Sequence, residues 1–346
     1  MSSNILIYRI GHLGDTIVSL PAISNIISSF QSSNIYLFTN KTNSDASAKN
    51  ILNRLFVFKR VIEYSPNSRH SELLKIAKEI RTLKISNLYY LSPLRDPYQV
   101  IRDYVYFRLV CGIKTVFGLR EAVKKTRNKG AVQKESDRLL FIVKNSGLSI
   151  KQVIPFVYPL NDKEKNFVSN FMRKIKRTGN EKLVAICPGS KMKSKRWPIE
   201  NYFELGRRIL NGKNVIILVV GDEHDKLIGE QLCKKWGVNC FNIAGHATIF
   251  ETAEIMKQCL LYIGNDTGAM HLAASVGLPC LAVFSGRDNA GKWEPFGNNN
   301  IILRKNLDCS GCMLETCSKN NACLRSISVN EVFLAYQTII KRINNG

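Results

Sequence analysis

Short apolar runs that end in a polar, glycine-bearing turn and pass straight into a helical pattern recur along this chain, and that rhythm admits few folds. The sharpest case is Tyr262-Ile263-Gly264-Asn265-Asp266-Thr267-Gly268-Ala269-Met270-His271. Residues 259–263 read as a short buried strand, and 272–276 as a helix that stops at Gly277 ahead of Pro279. A strand, a tight turn and a helix make a natural anion site. The first-turn amides have no partner inside the helix, and that helix end carries roughly half a positive charge, which suits a phosphate. Gly268 lets a ligand approach the backbone. Asp266 is placed to cap the helix as well as to touch a ligand, and Thr267 and His271, four apart, share a face. Taken alone, the same turn reads equally well as a simple cap beside a core histidine.

The rhythm runs twice. In the first half, 4–9, 34–38, 61–64, 87–91 and 115–118 read as strands, with helical patterns over 68–83, 98–110 and 135–145 among them. In the second, strands at 182–187, 214–220, 259–263 and 280–284 alternate with helices at 199–210, 227–236 and 249–257, and a last helix covers 329–343. Alternation of this kind predicts parallel, doubly wound sheets, so the fold class is α/β with two Rossmann-like domains facing across a cleft. The expected boundaries are a first domain over 1–160, a linker over 161–180, a second domain over 181–328 and a C-terminal helix over 329–346 that packs back on the first domain. In such sheets ligands sit beyond the carboxyl ends of the strands, and each polar motif falls at such an end.

A length of 346 residues agrees with two domains. The net charge is +23 and the isoelectric point about 9.7, which favours an anionic partner: nucleic acid, an acidic lipid headgroup or a phosphorylated sugar. Nucleic acid fits least, because the basic residues are not interleaved with aromatics and no nucleic-acid-binding motif is present. Residues 5–8 are too short for the core of a secretion signal and are followed by Arg9. No run reaches the ~20 apolar residues that span a bilayer. The expectation is a cytoplasmic protein, peripheral on the inner membrane.

Three motifs stand in order: Arg9-Ile10-Gly11-His12-Leu13-Gly14-Asp15; Pro188-Gly189-Ser190 followed by Lys195-Arg196-Trp197-Pro198; and Gly264-Asn265-Asp266-Thr267-Gly268 with His271-Leu272-Ala273-Ala274. This set resembles the family 9 glycosyltransferases, the ADP-heptose:lipopolysaccharide heptosyltransferases. The resemblance implies the GT-B arrangement, an acceptor on the first domain and a nucleotide-sugar on the second. It also implies inversion at the anomeric carbon, with no metal or other cofactor required. The implied donor is ADP-heptose, and the implied acceptor an anionic lipid-linked saccharide such as lipopolysaccharide inner core.

The residues suit that chemistry. Asp15 matches the family's catalytic aspartate and would take the proton of the attacking hydroxyl, and it is also placed to cap the helix that begins there, patterned by Ile17, Leu20, Ile23, Ile26 and Ile27. Lys195 matches the family's diphosphate-binding lysine. With Ser190 and the amides of Thr267, Gly268 and Ala269 it would stabilise the departing diphosphate. Asp266 and His271 fit the donor motif by fixing the turn and touching the donor. Gly14 would border the acceptor. Lys124, Lys125 and Arg127, in a basic loop that otherwise reads as a solvated segment, would draw an acceptor rich in phosphate and carboxylate, with Arg95 and Arg102 nearby. Arg287 and Trp293 carry weaker signals.

Of ten cysteines, Cys111, Cys187, Cys233, Cys240, Cys259 and Cys280 stand among apolar neighbours and read as small core residues. Cys309, Cys312, Cys317 and Cys323 cluster. One Cys-x-x-Cys with irregular gaps is a weak signal for a structural four-thiolate metal site, and packing is the plainer reading. A nucleotide-sugar epimerase of the same architecture is the alternative enzyme; it would act on the donor alone.

Overall fold

The computed structural model describes residues 3–42, 46–65, 67–124, 132–151, 155–176 and 178–345. The chain divides into two compact units, 1–128 with 133–153, and 129–132 with 154–346.

In the first unit the elements are β1 (Asn4–Tyr8), α1 (Leu13–Ser29), β2 (Asn34–Asn40), α2 (Ala48–Leu55), β3 (Arg60–Tyr64), α3 (His70–Thr82), β4 (Asn87–Tyr90), α4 (Pro97–Val105), β5 (Thr115–Phe117) and α5 (Glu135–Asn145). A π-helical turn, Tyr106–Val110, continues α4. The five strands pair in parallel in the order β3-β2-β1-β4-β5. The order reverses between β1 and β4, the kind of place where ligands of such sheets bind. Alternate residues face one side of a strand. Leu6, Tyr8, Tyr36, Phe38, Leu88 and Tyr90 therefore share one face and pack with Ile76, Ile80 and Phe107. The rings of Tyr8 and Tyr90 stack at 5.0 Å.

The second unit holds α6 (Asp162–Ile175), β6 (Lys182–Cys187), α7 (Ile199–Leu210), β7 (Val215–Val219), α8 (Lys226–Trp236), β8 (Cys240–Asn242), α9 (Ile249–Met256), β9 (Leu261–Asn265), α10 (Gly268–Ser275), β10 (Cys280–Phe284), β11 (Ile301–Arg304), α11 (Ala322–Arg325) and α12 (Val329–Asn345). Its strands run parallel in the order β11-β10-β9-β6-β7-β8, reversing between β6 and β9. Val184, Ile186, Val215, Ile217, Val219, Leu261, Ile263, Leu281 and Val283 line one face of this sheet and bury against Tyr202, Leu205 and Leu232. β7 is buried along its whole length, as expected of a central parallel strand with helices on both faces.

Several boundaries differ from the expected ones. The units part at 153/154 rather than 160/161. α6, expected as linker, belongs to the second unit, where Thr248 Oγ1 donates to Glu164 Oε1 at 3.4 Å. α12, expected on the first domain, buries Val332, Ala335 and Ile339 in the core of the second unit, because its apolar stripe matches the sheet face beside α7. Cys233 and Cys240, expected as small core residues, are joined in a disulfide. The single turn Gly237–Asn239 brings the end of α8 back to the start of β8, with the two Cα atoms 5.0 Å apart.

Candidate functional site

β6, β9 and β10 are adjacent and parallel, so the segments that leave their carboxyl ends lie side by side. The segment after β6 carries Lys195 on a short 3-10 turn, Lys193–Lys195. β9 ends one residue before Asp266, and the segment after β10 carries Arg287 and Asp288. These side chains meet. Lys195 Nζ lies 2.5 Å from Asp266 Oδ2 and 3.0 Å from Asp288 Oδ2, and Arg287 Nη1 lies 2.8 Å from the same Asp288 oxygen. Each of the four side chains is about nine-tenths buried or more. Two cations and two carboxylates leave the cluster formally neutral.

The electrostatics follow from burial and pairing. Burial pushes Asp266 above the usual carboxylate range, and Lys195 offsets this only in part. Burial acts on Asp288 the same way, but Lys195 and Arg287 together outweigh it and hold it below that range. Burial would lower Lys195, yet the two carboxylates hold it above its ordinary value. The cluster therefore keeps an ammonium charged in a nearly dry place, where it interacts with an anion far more strongly than it would in water.

Asn265 anchors this arrangement. It is fully buried. Its Oδ1 accepts from Trp197 N at 3.1 Å and from Tyr202 OH at 3.1 Å, while its Nδ2 donates to Pro188 O at 2.8 Å and Gly189 O at 3.1 Å. One amide thus pins both ends of the lysine-bearing segment to the tip of β9. Gly189 is required by close approach: a Cβ there would stand 1.6 Å from Asp225 Oδ1.

Asp266 does not cap α10. The N-cap is Thr267, which makes no side-chain cap bond, and the Asp266 carboxylate is turned to Lys195 instead. Thr267 Oγ1 pairs with Tyr262 OH at 3.3 Å. Thr267, Gly268 and Ala269 are half-buried at the start of α10 and offer first-turn amides next to the lysine. His271 is buried against the edge of Trp293, ring centroids 6.3 Å apart. Ser190 is buried, and its carbonyl accepts from Arg196 Nε at 2.7 Å. Lys191 and Lys193 are exposed.

In the first unit Asp15 sits in the first turn of α1, one residue beyond Gly14. His12 N donates to Asp15 Oδ2 at 2.9 Å, so the capping role is real. The other oxygen lies 3.8 Å from Nη2 of the fully buried Arg9. Arg9 is itself held by Leu91 O, which accepts from Nη1 at 2.6 Å. Gly11, at φ +130°, makes room: a Cβ there would stand 2.7 Å from Asp15 Oδ2. The carboxylate is about one-fifth exposed, with an arginine behind it.

Of the expected acceptor residues, Lys124 pairs with Asp96 at 3.7 Å on the surface, and Lys125 and Arg127 lie outside the described residues. Arg95 turns inward, with Nε donating to Ser92 Oγ at 2.8 Å and Asp103 3.6 Å away. Cys309, Cys312, Cys317 and Cys323 line one cavity of about 20 Å³ together with Ser194 and Arg287. Among the described residues no group of three or more His, Cys, Asp or Glu is arranged to hold a metal ion. The cysteine segment has a visible structural task. Ser194 Oγ donates to Leu314 O at 2.6 Å, Arg287 Nε to the same oxygen at 2.7 Å, and Asn321 Nδ2 to Lys193 O at 2.9 Å. It braces the turn that carries Lys195.

Two features of the cluster were not singled out from the sequence. Asp288 is one polar residue in a loop with no motif around it, marked only by its place beyond a strand's carboxyl end, and Asn265, though part of the third motif, reads as a turn residue and not as the anchor it is.

The family model described as "Glycosyltransferase family 9 (heptosyltransferase)" matches residues 116–323. Lipooligosaccharide heptosyltransferase 2 of Campylobacter jejuni is 22% identical over 337 residues, covering 95% of this chain and 96% of that protein. Among solved structures, a family 9 glycosyl transferase of Veillonella parvula superposes with a TM-score of 0.74 at 19% identity, covering 98% and 97% of the two chains. The ADP-heptose LPS heptosyltransferase II of E. coli superposes with a TM-score of 0.67 at 17% identity, covering 99% of both.

Proposed function

The chain belongs to glycosyltransferase family 9, the heptosyltransferases, and from that premise we propose that it moves a heptose from ADP-heptose to an anionic, lipid-linked saccharide of the lipopolysaccharide inner core. That it is a glycosyltransferase follows from the family; the sugar, the acceptor and the residue roles are the proposal. The observation that carries it is the buried Lys195 ammonium, paired with Asp266 at the mouth of α10. A cation and a set of free amides on adjacent strand ends are what a leaving diphosphate needs.

In this reading the second unit holds the donor. Lys195, Ser190 and the amides of Thr267, Gly268 and Ala269 take the diphosphate, while Asp266 and His271 fix the turn against it. The first unit holds the acceptor near Gly14, with Lys124, Lys125 and Arg127 drawing its negative charge. Asp15 accepts the proton of the acceptor hydroxyl as that oxygen forms its bond to the anomeric carbon. The bond from the anomeric carbon to the diphosphate oxygen breaks, the electron pair leaves with ADP, and the configuration inverts. Arg9, 3.8 Å behind Asp15, keeps the carboxylate aimed. The charge that develops on ADP is met by Lys195 and the α10 amides. The reading requires Asp15 and Lys195 to serve one substrate pair.

No helix among the described residues is long and apolar enough to cross a membrane. A lipid-linked acceptor would therefore be met at the membrane surface, on the cytoplasmic side where nucleotide-sugars are made. The test is release of ADP from ADP-heptose on adding delipidated inner-core saccharide, with UDP- and GDP-sugars run in parallel. ADP release that depends on acceptor supports the reading. Release without acceptor, or turnover only with another nucleotide, overturns the acceptor or the donor assignment respectively.

A further inference from the structure

α4 and the π-helical turn after it leave a run of large apolar side chains in water. Tyr98 is 75% exposed, Ile101 63%, Tyr104 47%, Val105 41% and Leu109 65%. At helical spacing Tyr98, Ile101, Val105 and Leu109 follow one ridge, with Tyr104 beside it. Val100, Asp103 and Phe107 point the other way and are buried. This outward face is the wrong one for a helix that merely covers a core.

The charges on the segment are sorted in the same manner. Asp103 is the sole acid between residues 97 and 110, and it is spent inward. It accepts from Tyr90 OH at 2.5 Å and pairs with Arg95 at 3.6 Å and with Arg102 at 2.8 Å. What remains outward is Arg102, its side chain 54% exposed with its Nη1 turned from Asp103, and the half-buried Arg108, whose Nη1 donates to Ile113 O at 2.9 Å. The Asp103 contacts also fasten the helix to β4, so the stripe is presented on a rigid element.

We propose that this face of α4 rests on an acidic lipid surface, with Tyr98, Ile101, Val105 and Leu109 entering the headgroup boundary and Arg102 and Arg108 against lipid phosphates. Apolar and tyrosine side chains flanked by arginines, with no outward acid between 97 and 110 and the capping Asp96 paired with Lys124, have the composition of an interfacial helix. The whole chain adds a net charge of +23, which favours an anionic surface over a neutral one. A second copy of the chain suits the face poorly, since a two-fold contact here would bring Arg102 and Arg108 towards their own counterparts. The proposal deepens the lipid-linked acceptor reading by saying where the protein meets the lipid.

The test uses the full chain and vesicles with and without phosphatidylglycerol. Wild-type protein should co-sediment with the acidic vesicles and be released by salt. Ile101→Glu combined with Leu109→Glu should weaken vesicle binding by about 100-fold or more, since each of the two buried aliphatic side chains contributes about tenfold or more. Arg102→Gln should weaken binding about fivefold, at roughly 1 kcal/mol per basic residue near the surface. ADP affinity and circular dichroism of the Ile101/Leu109 variant should match wild type, which excludes misfolding. Binding unchanged in that variant, absence of binding in the wild type, or an Ile101- and Leu109-dependent dimer without vesicle binding would each overturn the proposal. Vesicle binding is read without sugar transfer. Loss of one with survival of the other therefore tells which of the two readings fails.

Discussion

Lys195 Nζ stands between Asp266 Oδ2 at 2.5 Å and Asp288 Oδ2 at 3.0 Å, and the second of these carboxylates is itself held by Arg287 at 2.8 Å. A diphosphate that recruits Lys195 must therefore compete with carboxylates already on it. Asp288→Asn keeps the shape and removes one competitor. It is expected to tighten ADP binding by about threefold to tenfold, on the order of 1 kcal/mol for removing one of the two carboxylates already on the lysine. Lys195→Ala should weaken it, and the tightening should vanish when the two are combined. Calorimetric titration with ADP reads all three; weaker binding by Asp288→Asn alone would show that the carboxylate positions the lysine and does not compete for it.

Asp15 caps α1, and that task can be separated from the proposed base role. Asp15→Asn retains an oxygen for the His12 N–H, so folding stability should change by less than about 1 kcal/mol. Transfer should fall by roughly 100- to 10,000-fold with loss of the general base, while ADP binding is unaltered. Turnover within tenfold of wild type would remove Asp15 from the chemistry.

Asn265 is expected to be a stability residue first. Replacing it with Ala leaves two backbone carbonyls, a backbone N–H and a tyrosine hydroxyl without their buried partner. A loss of about 3 kcal/mol or more is expected by urea unfolding. A change below ~1 kcal/mol would mean that the segment from Pro188 to Trp197 holds its place by other contacts.

The cysteines should sort by burial. Burial pushes the Cys187 and Cys259 thiols up to about 12, and both are enclosed. Cys309, Cys312, Cys317 and Cys323 are partly exposed. Brief iodoacetamide treatment at mildly alkaline pH, read by peptide mass spectrometry, should label this group and spare Cys187 and Cys259. Because the segment braces Ser194 and Arg287, labelling should also weaken ADP binding. Full labelling with unchanged affinity would show that the brace is dispensable.

The strands and most helices could be read along the chain because their signal is local. A buried parallel strand is a continuous apolar run, and a helix repeats every three or four residues. The elements that escaped were those whose pattern is short or only half-buried. α2 and β8 are examples, and β11 is half-buried throughout its four residues. The strand, turn and helix from β9 into α10 were legible too, since they depend on one strand end and one helix start. Its details were not. The carboxylate of Asp266 serves Lys195, 71 residues away, and leaves the cap to Thr267.

By itself, then, the sequence determined two runs of alternating strands and helices, an acidic residue at the first turn of the first helix, and a lysine and an aspartate at the ends of two strands in the second half. The tertiary structure decided that β6, β9 and β10 are neighbours, and hence that Lys195, Asp266, Asp288 and Arg287 form one neutral, nearly dry cluster braced by the cysteine segment. The reason is physical. Periodicity and turn chemistry act over a few residues, whereas which strand lies beside which is set by how the crossover helices pack, and only that packing can bring charges from distant loops within 3 Å.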